Sequence, residues 1–222
     1  MYKKSIGVKE IMDKEQVYHE LSERMTDGKC PICEFAEYRI NEAYDRFLYD
    51  GVNSPHLRYK IEKANGFCSF HAHKLREFND QLTHAVLYHD FMHNVIENIG
   101  NKRNKIRYDK HDGCFFCENA RNNENDYVNA FAEFFENEKF KSLYINGAAL
   151  CVPHLTAIRN LRFKGKIADE ITKITLEKYK RLNENLSEIK RKNDYRYTNE
   201  EWTREEKTAW SRAVDIFNGK NY

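Results

Sequence analysis

The sequence predicts an all-α fold, and three observations carry that expectation. Apolar residues recur at steps of three and four along most of the chain, and no segment alternates apolar and polar residues as a half-buried strand would. Helix breakers are scarce, with 3 prolines and 9 glycines in 222 residues, while 32% charged residues are available to cover helix faces. One cysteine–histidine cassette also occurs twice, and each half of it falls where a helix is expected to begin.

The first helix is expected within residues 8–27, where Ile11, Val17, Tyr18, Leu21 and Met25 share a face before Asp27-Gly28 ends it. Cys30-Pro31-Ile32-Cys33 follows at once. A helix then reads through Phe35, Ala36, Ile40, Ala43, Tyr44, Phe47 and Leu48 and is broken at residues 50–53. Ser54-Pro55 restarts a short helix, serine as N-cap and proline in the first turn. After Gly66 comes Cys68-Ser69-Phe70-His71, the head of a single long helix expected to reach about Gly100. Leu75, Leu82, Ala85, Val86, Met92, Val95, Ile96 and Ile99 form its core-facing side.

The second half replays the first. Cys114-Phe115-Phe116-Cys117 and Cys151-Val152-Pro153-His154 repeat the four residue types in the same order, with 35 positions from Cys33 to Cys68 and 34 from Cys117 to Cys151. Helices are expected near 118–136 and 138–146, then a long one to about 190 that Gly165 kinks or splits, a break expected in this half alone. Thr198 and Glu201 read as a capping box opening a last helix, with Trp202, Trp210, Val214 and Phe217 packed into the core. The organisation is therefore an N-terminal helix (1–28), a first repeat (29–100), a linker (101–112), a second repeat (113–192) and a C-terminal helix (193–222), all sharing one core.

All six cysteines lie in the two cassettes. Three thiolates and one imidazole satisfy a tetrahedral zinc ion, and a helix N-terminus offsets the negative charge that such a site carries. The expected sites are Cys30, Cys33, Cys68 and His71 within the first repeat, and Cys114, Cys117, Cys151 and His154 within the second. Each would clamp two helix starts of its own repeat. Two zinc ions are the expected cofactors, with iron–sulfur clusters as the alternative for thiolate-rich ligands. Four protein ligands close a site, which speaks for a structural metal and against a catalytic one. A redox dithiol at Cys30 and Cys33 would call for a βαβ setting that the pattern lacks.

The bulk properties exclude more than they assign. A formal charge of +2 argues for neither nucleic acid nor membrane. The opening residues Met1–Lys9 contain no apolar run, so neither a signal peptide nor a membrane anchor is expected, and a reducing cytoplasmic location follows. Lys102, Arg103, Lys105, Arg107 and Lys110 make the linker basic, a solvated connector or a contact for nucleic acid. His84, His89 and His93 have no counterpart in the second half. His89 and His93 share a helix face, which makes them either a hydrogen-bonded core histidine beside a surface one or a second site. His73 and His111 stand near ligands but lack equivalents in the other repeat, so neither is expected to bind metal.

The Cys-x-x-Cys and Gly66-Phe67-Cys68-x-x-His71 elements, with their second copies, resemble an uncharacterised bacterial family of duplicated helical proteins, a domain of unknown function. The resemblance covers residues 29–160, and Ala149-Leu150 stands where the first copy has Gly-Phe. It implies metal-binding repeats and supplies no reaction. The expected function is a zinc-stabilised binding or adaptor module for another protein. A thiol-based or iron–sulfur sensor is the alternative, and an enzyme at the His89/His93 face is the second.

Overall fold

The computed structural model describes residues 13–25, 28–64, 66–100, 113–161, 165–197 and 199–220, and every regular element among them is helical. The helices are α1 (Lys14–Glu23), α2 (Pro31–Tyr49), α3 (Pro55–Lys63), α4 (Ser69–Arg76), α5 (Gln81–Gly100), α6 (Phe115–Phe134), α7 (Glu138–Asn146), α8 (Val152–Arg159), α9 (Gly165–Lys192) and α10 (Arg204–Asn218). The order long, short, short, long in α2–α5 recurs in α6–α9. The all-α expectation holds. The linker, His111 and Thr198 lie outside the described residues.

The chain forms two compact units, and they are not the two sequence repeats. The first contains Tyr38–Asn123, and the second contains Met12–Glu37 with Glu124–Tyr222. Helix α2 begins in the second unit and ends in the first, while α6 begins in the first and ends in the second. In the first unit an aromatic core forms round Phe116, whose ring centroid lies 4.5 Å from Tyr44, 5.5 Å from Phe47 and 5.3 Å from Phe67. In the second unit Val17 and Leu21 of α1, Phe35 of α2, Phe131 and Phe135 of α6, and Phe140 and Tyr144 of α7 build one core with Ile158 of α8 and Ile171 of α9.

Several local expectations are corrected. The helix expected from Cys68 to Gly100 is two helices, broken at residues 77–80. Asn79 takes a left-handed backbone (φ 56°), and Asp80 caps α5 by accepting from the Thr83 N–H (3.0 Å) and hydroxyl (2.8 Å). The break before Gly165 thus has a counterpart in the first half. The final capping box is at Thr203 and Glu206, five residues later than expected. The Glu206 N–H donates to Thr203 Oγ1 (3.1 Å), and the Thr203 N–H to Glu206 Oε2 (2.9 Å). That start turns Glu206, Ala209 and Ile216 inward and leaves Trp210, Val214 and Phe217 exposed, so the tryptophan stripe is not core. Helix α5 is turned likewise: Thr83 and Leu87 are buried, while Leu82, Met92, Val95, Ile96 and Ile99 face solvent.

Candidate metal centres

Each cassette half sits at a helix start, as expected. Cys30 immediately precedes α2, and Cys114 immediately precedes α6. Cys68 and Cys151 are the N-caps of α4 and α8, with nearly identical extended backbones (φ −63°, ψ 160° and φ −75°, ψ 162°). That conformation turns each cysteine side chain back over its first helical turn, and the His71 N–H points at Cys68 Sγ across 3.5 Å.

The pairing, however, is crosswise. One group is Cys30, Cys33, Cys151 and His154, in the second unit; the other is Cys68, His71, Cys114 and Cys117, in the first. Each unit therefore holds one Cys3His group, but each group joins the Cys-x-x-Cys of one repeat to the Cys-x-x-His of the other. The expectation that a repeat closes on itself fails for a reason of length. Nineteen-residue α2 carries the chain about 28 Å at 1.5 Å per residue. The returning α3 has nine residues and retraces about half of that. Cys68 and His71 consequently arrive beside the far part of α2, where Phe67 packs on Phe47 (5.6 Å) and the His71 ring lies 6.2 Å from Tyr44.

Backbone pairing sets the second centre. The Gly28 N–H donates to Gly147 O (3.1 Å) and the Ala149 N–H to Lys29 O (3.0 Å), which lays the approach to Cys30 along the approach to Cys151. Gly147 is required there, because a Cβ would come 2.4 Å from Met25 O. From His154 Nδ1 the sulfurs of Cys151, Cys30 and Cys33 lie at 3.0, 3.4 and 3.4 Å, and the Cys33 and Cys151 sulfurs are 3.7 Å apart. In the first centre His71 Nδ1 lies 3.0, 3.2 and 3.6 Å from the sulfurs of Cys68, Cys117 and Cys114. The Cys117 and Cys68 sulfurs are 3.5 Å apart.

These spacings have a direct meaning. Bonds of about 2.3 Å to sulfur and 2.0 Å to nitrogen give a zinc tetrahedron edges of about 3.8 and 3.5 Å. The observed separations are close to those edges and far from the 2.05 Å of a disulfide; all six cysteines are free. The donors in each group lie within 4.8 Å of one another, so they converge on a point that one ion could fill.

Electrostatics agree. The Cys33 thiol is raised: the Cys151 sulfur pulls it down, but Cys30 and burial push it up by more. Burial raises Cys117 strongly, aided by the Cys114 and Cys68 sulfurs. Cys114 is lowered, since His71 and backbone donors outweigh its burial. Burial opposes the charged form of His154, yet the Cys151, Cys30 and Cys33 sulfurs and Glu124 raise it far above the ordinary imidazole value. At Cys33 and Cys117 the neighbouring sulfurs thus oppose a further negative charge unless a cation lies among them.

Sequence reasoning missed three supporting residues, all in the second unit. Glu124 Oε1 lies 2.9 Å from His154 Nε2 and so can hold the ring with Nδ1 toward the sulfurs. Its signal was weak: it stands seven residues past Cys117, where the other repeat has Ile40. A Cβ on Gly219 would lie 3.5 Å from Cys151 Sγ and 3.8 Å from Cys33 Sγ, so the backbone after α10 closes against the sulfurs. Lys220 then pairs with Glu34 (2.6 Å) and Glu37 (2.7 Å) on α2.

The unpaired histidines are not drawn into a cluster. His89, whose side chain is 82% exposed, lies 3.4 Å from Asp90, and His93 is exposed too. His84 Nδ1 contacts Asp80 O (2.6 Å) and its ring stacks on Tyr88.

Comparison with known sequences gives the family and no activity. A family described as a family of unknown function (DUF6062) matches residues 14–222. The chain belongs to that family. It is also 32% identical over 202 residues, 89% of this chain and 98% of the relative, to an "Uncharacterized 23.9 kDa protein in xynA 3'region" of Caldicellulosiruptor sp. (strain Rt8B.4). No solved structure matches. No described helix is long and apolar enough to cross a membrane.

Proposed function

We propose that this member of the DUF6062 family is a cytoplasmic structural-zinc protein that presents helical surfaces to another protein. The observation that carries the metal reading is the convergence of each Cys3His group on the edge lengths of a single tetrahedral ion. Four protein donors leave no open coordination position, so the ion's task is to hold helix starts together. Apolar side chains left outside on α10 support the binding role, Trp210, Val214 and Phe217 among them. Elemental analysis of the purified chain is the test. About two zinc per chain and no visible colour are expected from two four-ligand sites; brown protein containing iron and sulfide would overturn the reading.

One observation favours a second reading, in which the first centre senses oxidants. Cys117 is the one half-exposed thiol among the six cysteines, the other five being buried. Oxidation there would remove a ligand and release that ion, whereas the buried second centre would keep its own.

A further inference from the structure

Helix α5 spends one face on its own unit. Thr83 and Leu87 are buried, Arg58 pairs with Asp90, and Asn94 Nδ2 donates to Glu62 Oε1 (3.0 Å). The opposite face carries Leu82, Ala85, His89, Met92, Ile96 and Ile99, at successive steps of three, four, three, four and three. That is the a/d spacing of a helix-packing seam. Its residues are open to solvent: Leu82 is 75% exposed, Ile96 62% and Ile99 64%.

We infer that this seam pairs with the same seam of a second copy of the chain, the two α5 helices running antiparallel about a two-fold axis. Two features single out that occupant. The first is charge. Between Gln81 and Ile99 the charged residues are Asp90, held by Arg58, and Glu97, which lies off the seam, so nothing here selects a charged partner. The second is symmetry. An isologous interface requires residue i to meet j and j to meet i. The spacing reads the same from either end, so a two-fold axis between Asp90 and Phe91 puts Leu82 opposite Ile99, Ala85 opposite Ile96 and His89 opposite Met92. The small alanine then faces a large isoleucine, whereas a parallel pair would stack His89 on His89. With Tyr88 and Val95 at the flanks the face offers on the order of 600 Å² per chain, near the roughly 800 Å² per partner of a stable association.

The test is sedimentation equilibrium on the full metal-loaded chain and on three charge variants. The native chain is expected to be a dimer. Leu82→Glu and Ile99→Lys alone should each weaken self-association about tenfold or more. The double variant should recover it, because antiparallel pairing places each new carboxylate opposite a new ammonium. Trp210→Glu should leave the dimer intact. A native chain that stays monomeric up to about 100 µM would overturn the inference. So would single variants that dimerise normally, or a double variant that stays monomeric while its circular dichroism matches the native chain. The last result would mean a parallel pair, or cover by a different protein.

Discussion

The two Cys3His centres share a ligand set and differ in what surrounds it. In the first unit the His71 ring sits among aromatics, with Phe70, Phe116 and Tyr44 centroids at 5.2, 5.8 and 6.2 Å, and one sulfur, that of Cys117, is half exposed. In the second all four ligands are buried, Glu124 stands behind His154, and the chain at Gly219 closes against two sulfurs. The ligands decide that an ion can bind; the surroundings decide how firmly it is kept. On the proposed metal reading, an ion would be held more firmly in the second centre than in the first.

Removing a ligand is the most severe way to probe that contrast. A structural zinc site contributes on the order of 10 kcal/mol, comparable with the whole stability of a domain. Cys151→Ser should halve the metal content and abolish hydrogen-exchange protection across 13–37 and 124–220, with 38–123 far less affected. Loss confined to the sequence repeat 113–192 would break the crosswise account. The carboxylate behind His154 comes next. Glu124→Gln should weaken metal retention at the second centre by about 10- to 100-fold and leave the first unchanged, as read by competition with a chromophoric chelator. Equal loss from both centres would erase the contrast between them.

Dilute peroxide sharpens the comparison from the other side. Peptide mass spectrometry should find Cys117 modified first, with one equivalent of metal released, while Cys30, Cys33 and Cys151 stay intact. The smallest effect concerns a pin at the second unit's edge, where Lys192 Nζ donates to both Glu206 oxygens at 2.9 Å. That ammonium, with the Thr203 N–H, holds the Glu206 carboxyl below the usual range. Its contribution is therefore fully present above the ordinary carboxylate pKa of about 4.3 and is lost as pH falls through the lowered folded value. Glu206→Gln should lower the melting temperature by a few degrees at neutral pH. The gap from the native chain should narrow once pH falls below the ordinary carboxylate value and close below the lowered folded one.

The eight candidate ligands were legible in the sequence because cysteine spacing and helix starts are local properties. Ser54-Pro55 and Gly66 bracket α3 by their own chemistry and were legible too, but α4 and α5 read as one helix. Pairing was not legible. Separations of 34 and 35 positions do not by themselves exclude closure within a repeat, and it is the unequal lengths of α2 and α3 that decide against it. The faces of α5 and α10 were misassigned for a related reason: apolar periodicity locates a stripe but does not say whether the chain's own core covers it. The Asp80 break escaped notice because its signal is one side chain accepting from a residue three positions on. Glu124 has meaning only once α8 lies beside α6.

The central claim is that each centre joins the Cys-x-x-Cys of one repeat to the Cys-x-x-His of the other. Replacing the bound metal with ¹¹³Cd and recording ¹H–¹¹³Cd correlations tests it directly, because each cadmium couples to the β-protons of the cysteines that bind it. The account predicts two cadmium signals, one coupled to Cys30, Cys33 and Cys151 and the other to Cys68, Cys114 and Cys117. A signal shared by Cys30, Cys33 and Cys68 would contradict it.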